Sequence, residues 1–489
     1  MRTQRKTSRR VGLVASLAAL LVAAACTSDR DPSPGSSGPS PSDTRPSVLA
    51  WTLAAATALG HPKNVGGVAV AYLVEAKELY LIGMDPKTGK ELWRQLASPG
   101  QITPGIPVTV QDVDDKVVYM RPERGDPRFT RLVIADPKTG ADIVVSGPAI
   151  VSSSLSSCGA DVCTTARRSV NARGTLHRLR VADGKLAEEP AQAAIPAGAR
   201  SIGDGGLLDL GIRSPQREEF ALFSDNKVRW RIPVTDAFPP GYSTDYGWRF
   251  HHYESQKLIV GNIYPDVKRA PDSSFTRQLE GRAAAAGIST VDGSVLWKEP
   301  GADLFCRGAI DVEDPATEDL IPVRCRYRGI ETYDGKTRQV SHRDLSVTVE
   351  GFSPTTGKTT WTVDAGPADL LVEPGNGQVT AGRTTVMARF GAEPLAIDIA
   401  TGKTTVPASD ATFWCPRKVE FKYRVPMRIL GDLIYDRYGE AITSICDTKG
   451  EPATQPPPSS VTRSVGTNFD DITIVATKEG FTAYRTEPA

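Results

Sequence analysis

One recurring turn limits the architectures open to this chain. Asp85-Pro-Lys-Thr-Gly89, followed at once by Lys-Glu-Leu-Trp93, has close copies at Asp136-Pro-Lys-Thr-Gly140, at Ser353-Pro-Thr-Thr-Gly357 with Trp361, and at Asp398-Ile-Ala-Thr-Gly402. Shorter forms stand at Asp225-Asn-Lys-Val-Arg-Trp230 and Asp292-Gly293-Ser-Val-Leu-Trp297; Asp183-Gly-Lys185 lacks the tryptophan, and Asp447-Thr-Lys-Gly450 is a degenerate copy. The chemistry is local. Asp accepts backbone hydrogen bonds at the start, Gly supplies the positive φ that closes the turn, and an apolar strand resumes after a lysine. Four of the seven tryptophans, Trp93, Trp230, Trp297 and Trp361, occupy one place just after it, which reads as repeated packing.

The eight starts are spaced 51, 47, 42, 67, 61, 45 and 49 residues apart. Between them lie short alternating apolar runs such as Leu79–Met84, Arg131–Ala135 and Lys257–Gly261, without a convincing 3.6-residue stripe, and 37 prolines would break most helices. The chain is therefore expected to be all-β. A repeat of about 52 residues supplies one four-stranded propeller blade, and blades must stack because none covers both its faces alone. Residues 47–489 hold about eight such units, so a single β-propeller of eight blades is expected, with seven as the alternative. The two long spacings should carry insertions. Ile472–Arg485 reads as the middle strands of a last blade, and residues 47–53 could supply its outer strand, so that the N- and C-terminal strands close the ring.

The Asp-x-x-Thr-Gly-Lys-x-x-Trp turn at this period resembles the tryptophan-docking motif of pyrroloquinoline-quinone-like β-propellers, along nearly all of the chain beyond residue 47. That resemblance admits quinone-dependent alcohol and glucose dehydrogenases, a scaffold lipoprotein of outer-membrane assembly, and extracellular sensor domains of kinases. Fold does not choose among them. The alcohol-oxidising members carry an adjacent-cysteine disulfide, and no Cys-Cys dipeptide occurs here. Their aspartate base and Glu/Asn calcium ligands have no matching local motif. Asp112-Val-Asp-Asp115 is the nearest acidic cluster and lacks the Gly and distal Glu of a calcium loop. No cofactor is expected, the quinone included.

The first 25 residues read as an export signal: Arg2, Arg5, Lys6, Arg9 and Arg10 without an acid, then fifteen uncharged residues from Val11 to Ala25, too few for a spanning helix. Three alanines before Cys26 resemble a bacterial lipobox, in which that cysteine receives a diacylglyceryl thioether; Ser8-Arg9-Arg10 also resembles a twin-arginine signal, leaving the export route open. Thr27 to Ser47 holds five Pro, seven Ser and two Gly, so residues 26–47 are expected to be an extended tether and residues 48–489 the propeller, anchored by lipid on the extracytoplasmic face of a bacterial membrane. The formal charge of +1 includes that basic leader, so the remainder is mildly acidic, without the basic runs that nucleic-acid binding needs. The six other cysteines fall as local pairs, Cys158 with Cys163, Cys306 with Cys325, and Cys415 with Cys446. An even number in an exported chain suggests disulfides; zinc would want C-x-x-C spacing or nearby histidines. Cys158 and Cys163 fit facing positions of a hairpin.

No G-x-S-x-G, H-E-x-x-H or Walker sequence occurs, and the histidines number five. One stretch, Phe238 to Tyr253, concentrates aromatics and two histidines. If 247–253 is an inner strand, Trp248, Phe250 and His252 share one face and Arg249, His251 and Tyr253 the other. Tyr246, Trp248, Phe250 and His252 are the candidate binding surface, set against a packing role between blades. The expected function is a monomeric, non-catalytic surface lipoprotein whose propeller binds an envelope protein or saccharide. That function predicts no convergent titratable cluster. The alternative, a quinone- or metal-dependent dehydrogenase, predicts a polar centre lined by Asp, Arg and Asn from several blades.

Overall fold

The computed structural model describes residues 45–486, apart from 55–56, 99–108, 127–128, 152–154, 159–160, 168–175, 191–198, 203–205, 214–216, 225–226, 266–273, 305–321, 338, 368–384, 389–393 and 428–430. The signal, Cys26, Asp225 and Cys306 lie outside the described residues. Within them the chain is all-β, with only the short helices Val234–Ala237 and Ser459–Val465 and one 3-10 turn at Leu279–Gly281.

The described strands form eight sheets that follow one another along the chain. The first takes residues from Thr57–Ala58 to Glu91–Leu96, the second from Gln111–Val113 to Asp142–Val145, the third from Ile150–Val151 to Lys185–Pro190, and the fourth from Arg200–Ser201 to Lys227–Pro233. The fifth is Tyr242–Tyr253, Leu258–Pro265, Ala284–Ser289 and Val295–Pro300. The sixth is built on the long strands Val323–Asp334 and Gln339–Phe352, and the seventh on Thr385–Ala388, Leu395–Asp398 and Thr404–Thr405. The last contains Thr467–Phe469, Ile472–Thr477 and Gly480–Arg485. Its outer strand is Val48–Ala54 from the other end of the chain, antiparallel to 480–485 from Val48↔Arg485 to Ala54↔Gly480.

Among the described residues, five of the junctions between sheets are made through a tryptophan. Trp93 lies on the turn glycine of the next sheet, where a Cβ on Gly140 would stand 2.7 Å from the ring, and its Nε1–H donates to the Pro137 carbonyl at 2.6 Å. The same latch carries Trp230 onto the Thr290 carbonyl, Trp297 onto Pro354 and Trp361 onto Ile399. Trp51, on the N-terminal strand, repeats it on Gly89 and the Pro86 carbonyl (3.0 Å), tying the last sheet to the first. Behind the latches, apolar clusters bridge neighbours: Tyr72 and Leu81 with Val117 and Tyr119, Met120 with Leu179, Leu222 with Ile259, and Leu73 and Ile82 with Ile474 and Phe481.

The turn hydrogen bonds follow the local chemistry. Asp85 Oδ1 accepts from the Lys87 and Thr88 amides, and the Gly89 amide donates to the Asp85 carbonyl. Asp136 repeats the set. One start is displaced from its sequence assignment. In the fifth sheet the turn begins at Ser289, whose carbonyl accepts from the Gly293 amide, and Asp292 is its fourth residue. The degenerate turn at Asp447 belongs to no four-stranded unit either. It ends the long hairpin Thr412–Met427 and Gly431–Asp447, which joins the last sheet through the parallel pairing of Thr443 with Thr477; its base, closed by the disulfide Cys415–Cys446, also meets the seventh sheet at Ala396.

Other expectations are revised or refined. Residues 45–47 belong to the folded body and not the tether: the Ser47 amide donates to the Pro457 carbonyl, and Ser47 is 3% exposed. Cys163 and Cys325 are disulfide-bonded, but Cys163 stands opposite Ser156 and Cys158 opposite Asp161, so Cys158 and Cys163 sit diagonally and not face to face. Asp114 and Asp115, with φ of 51° and 56°, are the two-residue hairpin turn between Val113 and Lys116, which accounts for the acidic cluster. Of the two long spacings, the first does carry an insertion: Phe275–Gln278 leaves the fifth sheet to pair with Tyr333–Ile330 of the sixth.

The latch has a measurable signature. Gly357 has φ +68°, and a Cβ there would stand 2.6 Å from the Trp297 ring. Gly357→Ala is expected to cost about 2–5 kcal/mol in urea unfolding, the sum of the left-handed backbone and the overpacking. In a Trp297→Ala background the steric part disappears, so the two losses should fall short of additive. Full additivity would show that the ring does not rest on that turn.

Candidate functional site

The inner strand of the fifth sheet, Tyr242–Tyr253, sorts its side chains by alternation. Phe250 faces the fourth sheet, 4% exposed, with edge-on contacts to Phe220 (5.5 Å) and Phe238 (6.3 Å), and Trp248 packs on it at 6.3 Å. The pairing register breaks between Ser243 and Trp248, where Gly247 has φ +115°, so Tyr246 lies outside this alternation and is 44% exposed. The four residues singled out from the sequence therefore do not form one surface. Phe250 is core, Trp248 and His252 are half-buried, and Tyr246 is exposed.

The opposite face of this sheet meets the sixth across a polar seam. Arg249 Nε donates to His251 Nε2 at 2.7 Å, and its Nη1 reaches the Leu304 carbonyl at 3.5 Å. Asp303, 2% exposed, accepts from the Tyr264 hydroxyl at 3.1 Å and lies 3.9 Å from Arg282 Nε. Glu331, 6% exposed, accepts from Arg277 Nε at 2.8 Å, with Arg282 Nη1 at 3.7 Å and His342 Nε2 at 3.3 Å. Both arginines also lie over rings, Arg282 over Tyr327 and Arg277 over Phe275. Further out, fully buried Arg324 pairs with Glu350 at 2.7 Å, and Arg326 links Glu350 to Glu299 of the fifth sheet.

The electrostatics follow from burial and pairing. Burial alone would raise the Glu331 carboxyl, but Arg277 and Arg282 outweigh it and hold the group below its ordinary value. Burial, reinforced by the Asp303 charge, pushes the Tyr264 hydroxyl well above its usual range. Asn262, opposite Arg249 in register and fully buried, has no well-formed hydrogen bond among the described residues at either its amide oxygen or its nitrogen. Among the described residues no group of three or more His, Cys, Asp and Glu is placed to hold a metal ion.

The expectation of no convergent titratable cluster is thus overturned. The sequence reading missed this seam because its members are scattered from Arg249 to His342 and meet only when Phe275–Gln278 crosses to the sixth sheet. A partial signal existed in the alternation that put Arg249 and His251 on one face. What the arrangement can do chemically is bounded by pairing. Both buried carboxylates are already matched by cations or donors, so they serve better to fix and recognise polar groups than to abstract a proton.

No family model and no curated protein matches this chain. Among solved structures it is similar to a europium-containing methanol dehydrogenase, at 10% identity and TM-score 0.35, covering 76% of this chain and 85% of that one. It is also similar to BamB from Moraxella catarrhalis, at 11% identity and TM-score 0.20, covering 85% and 95%. A third similar structure is a eukaryotic initiation factor, at 10% identity and TM-score 0.28, covering 78% and 99%.

Proposed function

We propose that the chain is a lipid-anchored, eight-bladed β-propeller held outside the cytoplasm, binding an envelope protein or saccharide without transforming it. In support of the propeller are the eight consecutive sheets, the antiparallel pairing of Val48–Ala54 with Gly480–Arg485, and Trp51 resting on the first turn. In support of the location are the leader and the alanines before Cys26. The observation that carries binding over catalysis is the mutual neutralisation of the polar seam, where Glu331 has Arg277, Arg282 and His342 around it.

The dehydrogenase alternative draws on the same seam, which gathers Asp, Arg and Asn, though from two sheets and not several. Titrating the purified protein with calcium and the quinone separates the two. No cofactor absorbance is expected to develop on the protein, and Glu331→Gln should change nothing in that assay. A stoichiometric bound chromophore that oxidises an alcohol would overturn the binding reading.

A further inference from the structure

The seam between the fourth and fifth sheets holds a second polar group, separate from that between the fifth and sixth. Asp209 is on Leu207–Arg213 and 4% exposed; Glu218 is half-buried on Arg217–Ser224; and Thr244, 2% exposed, follows the start of the fifth sheet's inner strand. Both neighbouring pairings are irregular here, with register breaks after Asp209 and after Ser243. Such bulges re-aim side chains that a regular ladder would hold apart.

One hydroxyl bridges the two carboxylates. Thr244 Oγ1 lies 2.5 Å from Asp209 Oδ2 and 3.1 Å from Glu218 Oε1, but a hydroxyl has one hydrogen to donate. At 2.5 Å that hydrogen belongs on Asp209, whose other oxygen accepts from the Gly211 amide. Glu218 Oε1 meanwhile accepts from the Ser243 hydroxyl at 3.1 Å and the Thr244 amide at 3.3 Å. With both carboxylates ionised, the contact between Thr244 Oγ1 and Glu218 sets lone pair against lone pair. With a proton on Glu218 it becomes a donated bond, and the chain runs from Glu218 through Thr244 to the Asp209 carboxylate.

We propose that Glu218, Thr244 and Asp209 form an acid-closed clasp that pins residues 244–247, with the exposed Tyr246, to the fourth sheet, and that loss of the Glu218 proton to solvent loosens this edge. The surrounding groups are consistent with it. Asp209 faces Glu218 from its own sheet, and the fifth sheet presents the Ser243 and Thr244 hydroxyls. Arg200 stands opposite Asp209 in register, and Asp236 on the helix Val234–Ala237 is exposed. Burial and then the Asp209 charge raise the Glu218 carboxyl above its ordinary value, so the proton is held above the pH at which a free glutamate loses it.

A carboxyl raised in the folded state binds more protons than its unfolded counterpart, so the clasp is strongest in acid and weakens as pH rises through the raised value. Amide exchange of residues 243–248, corrected for intrinsic rates, tests this on the whole chain. Protection is expected to fall about tenfold between pH 5 and pH 8, the order expected for losing one hydrogen bond to a charged or buried group. Glu218→Gln, which keeps a donor toward Thr244 at every pH, should stay protected throughout, whereas Thr244→Val should be equally unprotected at both. Equal wild-type protection at the two pH values, or a pH response surviving in either variant, would overturn the clasp. Thermal melts of the variants establish that each is folded.

Discussion

Removing residues 47–56 is expected to lower the melting temperature by roughly 10 °C. Truncating a packed tryptophan costs about 3–5 kcal/mol, and the strand Val48–Ala54 adds six Cα pairings to Gly480–Arg485, each backbone bond contributing about 0.5–1.5 kcal/mol. A loss of about 10 kcal/mol corresponds to roughly 10 °C for a body of this size. The effect should exceed that of any internal strand end, because Trp51 also latches the first sheet through the Pro86 carbonyl. The first sheet's flank depends on the same junction: the Ala476 amide donates to His61 Nδ1, and burial pulls that imidazole below its ordinary pKa. Trp51→Ala alone should give about a third to half of the loss. A synthetic peptide spanning 45–56 should restore part of the melting temperature to the truncated protein. Melting unchanged by the deletion would show that the end strands do not hold the body together.

Replacing Cys415 and Cys446 together by alanine is expected to cost about 4 kcal/mol, from the 31-residue separation that the bridge closes. Both sulfurs are fully buried, so alanine leaves no stranded hydroxyl as serine would. The consequence should be local. A two-stranded hairpin is marginal by itself, and this one is held at its base, where Phe413 and Cys415 meet Ala396 and where Trp414 packs on Tyr484 at 5.6 Å. Limited proteolysis should therefore cut within 412–447 faster in the double variant than in the parent, before the sheets unfold. Cleavage at the parental rate would mean that the apolar base suffices without the bridge.

The legible part of this protein is the part written in neighbouring residues. Asp85 and Gly89 sit four apart, and their turn closes through bonds within that span, so residue type alone implies the geometry. The outer strand at Val48–Ala54 was foreseeable because Ile472–Arg485 needed an antiparallel neighbour and an unassigned apolar run stood at the other end of the chain. Less legible was the glycine two residues before three of the turns. Gly83, Gly287 and Gly351 each lie under the tryptophan of the adjacent strand, where a Cβ would come within 2.2 Å of the ring. The signal was present as Gly-x-Asp or Gly-x-Ser, but only the register gives it a meaning.

The aromatic stretch from Phe238 to Tyr253 shows why the rest was hidden. Alternation assigned Phe250 and Arg249 to opposite faces, and the structure keeps that assignment, but alternation cannot say what covers each face. Phe220 and Phe238 bury the first, and Leu304 beyond the fifth sheet meets the second. Turns and strand periodicity were already set by residue order, because hydrogen bonds and side-chain alternation act over a few residues or along one ladder. Long-range packing alone chose which turn each tryptophan rests on and surrounded Glu331 with Arg277, Arg282 and His342. Those contacts join residues far apart in the chain, and their strength depends on burial and approach, which no local pattern encodes.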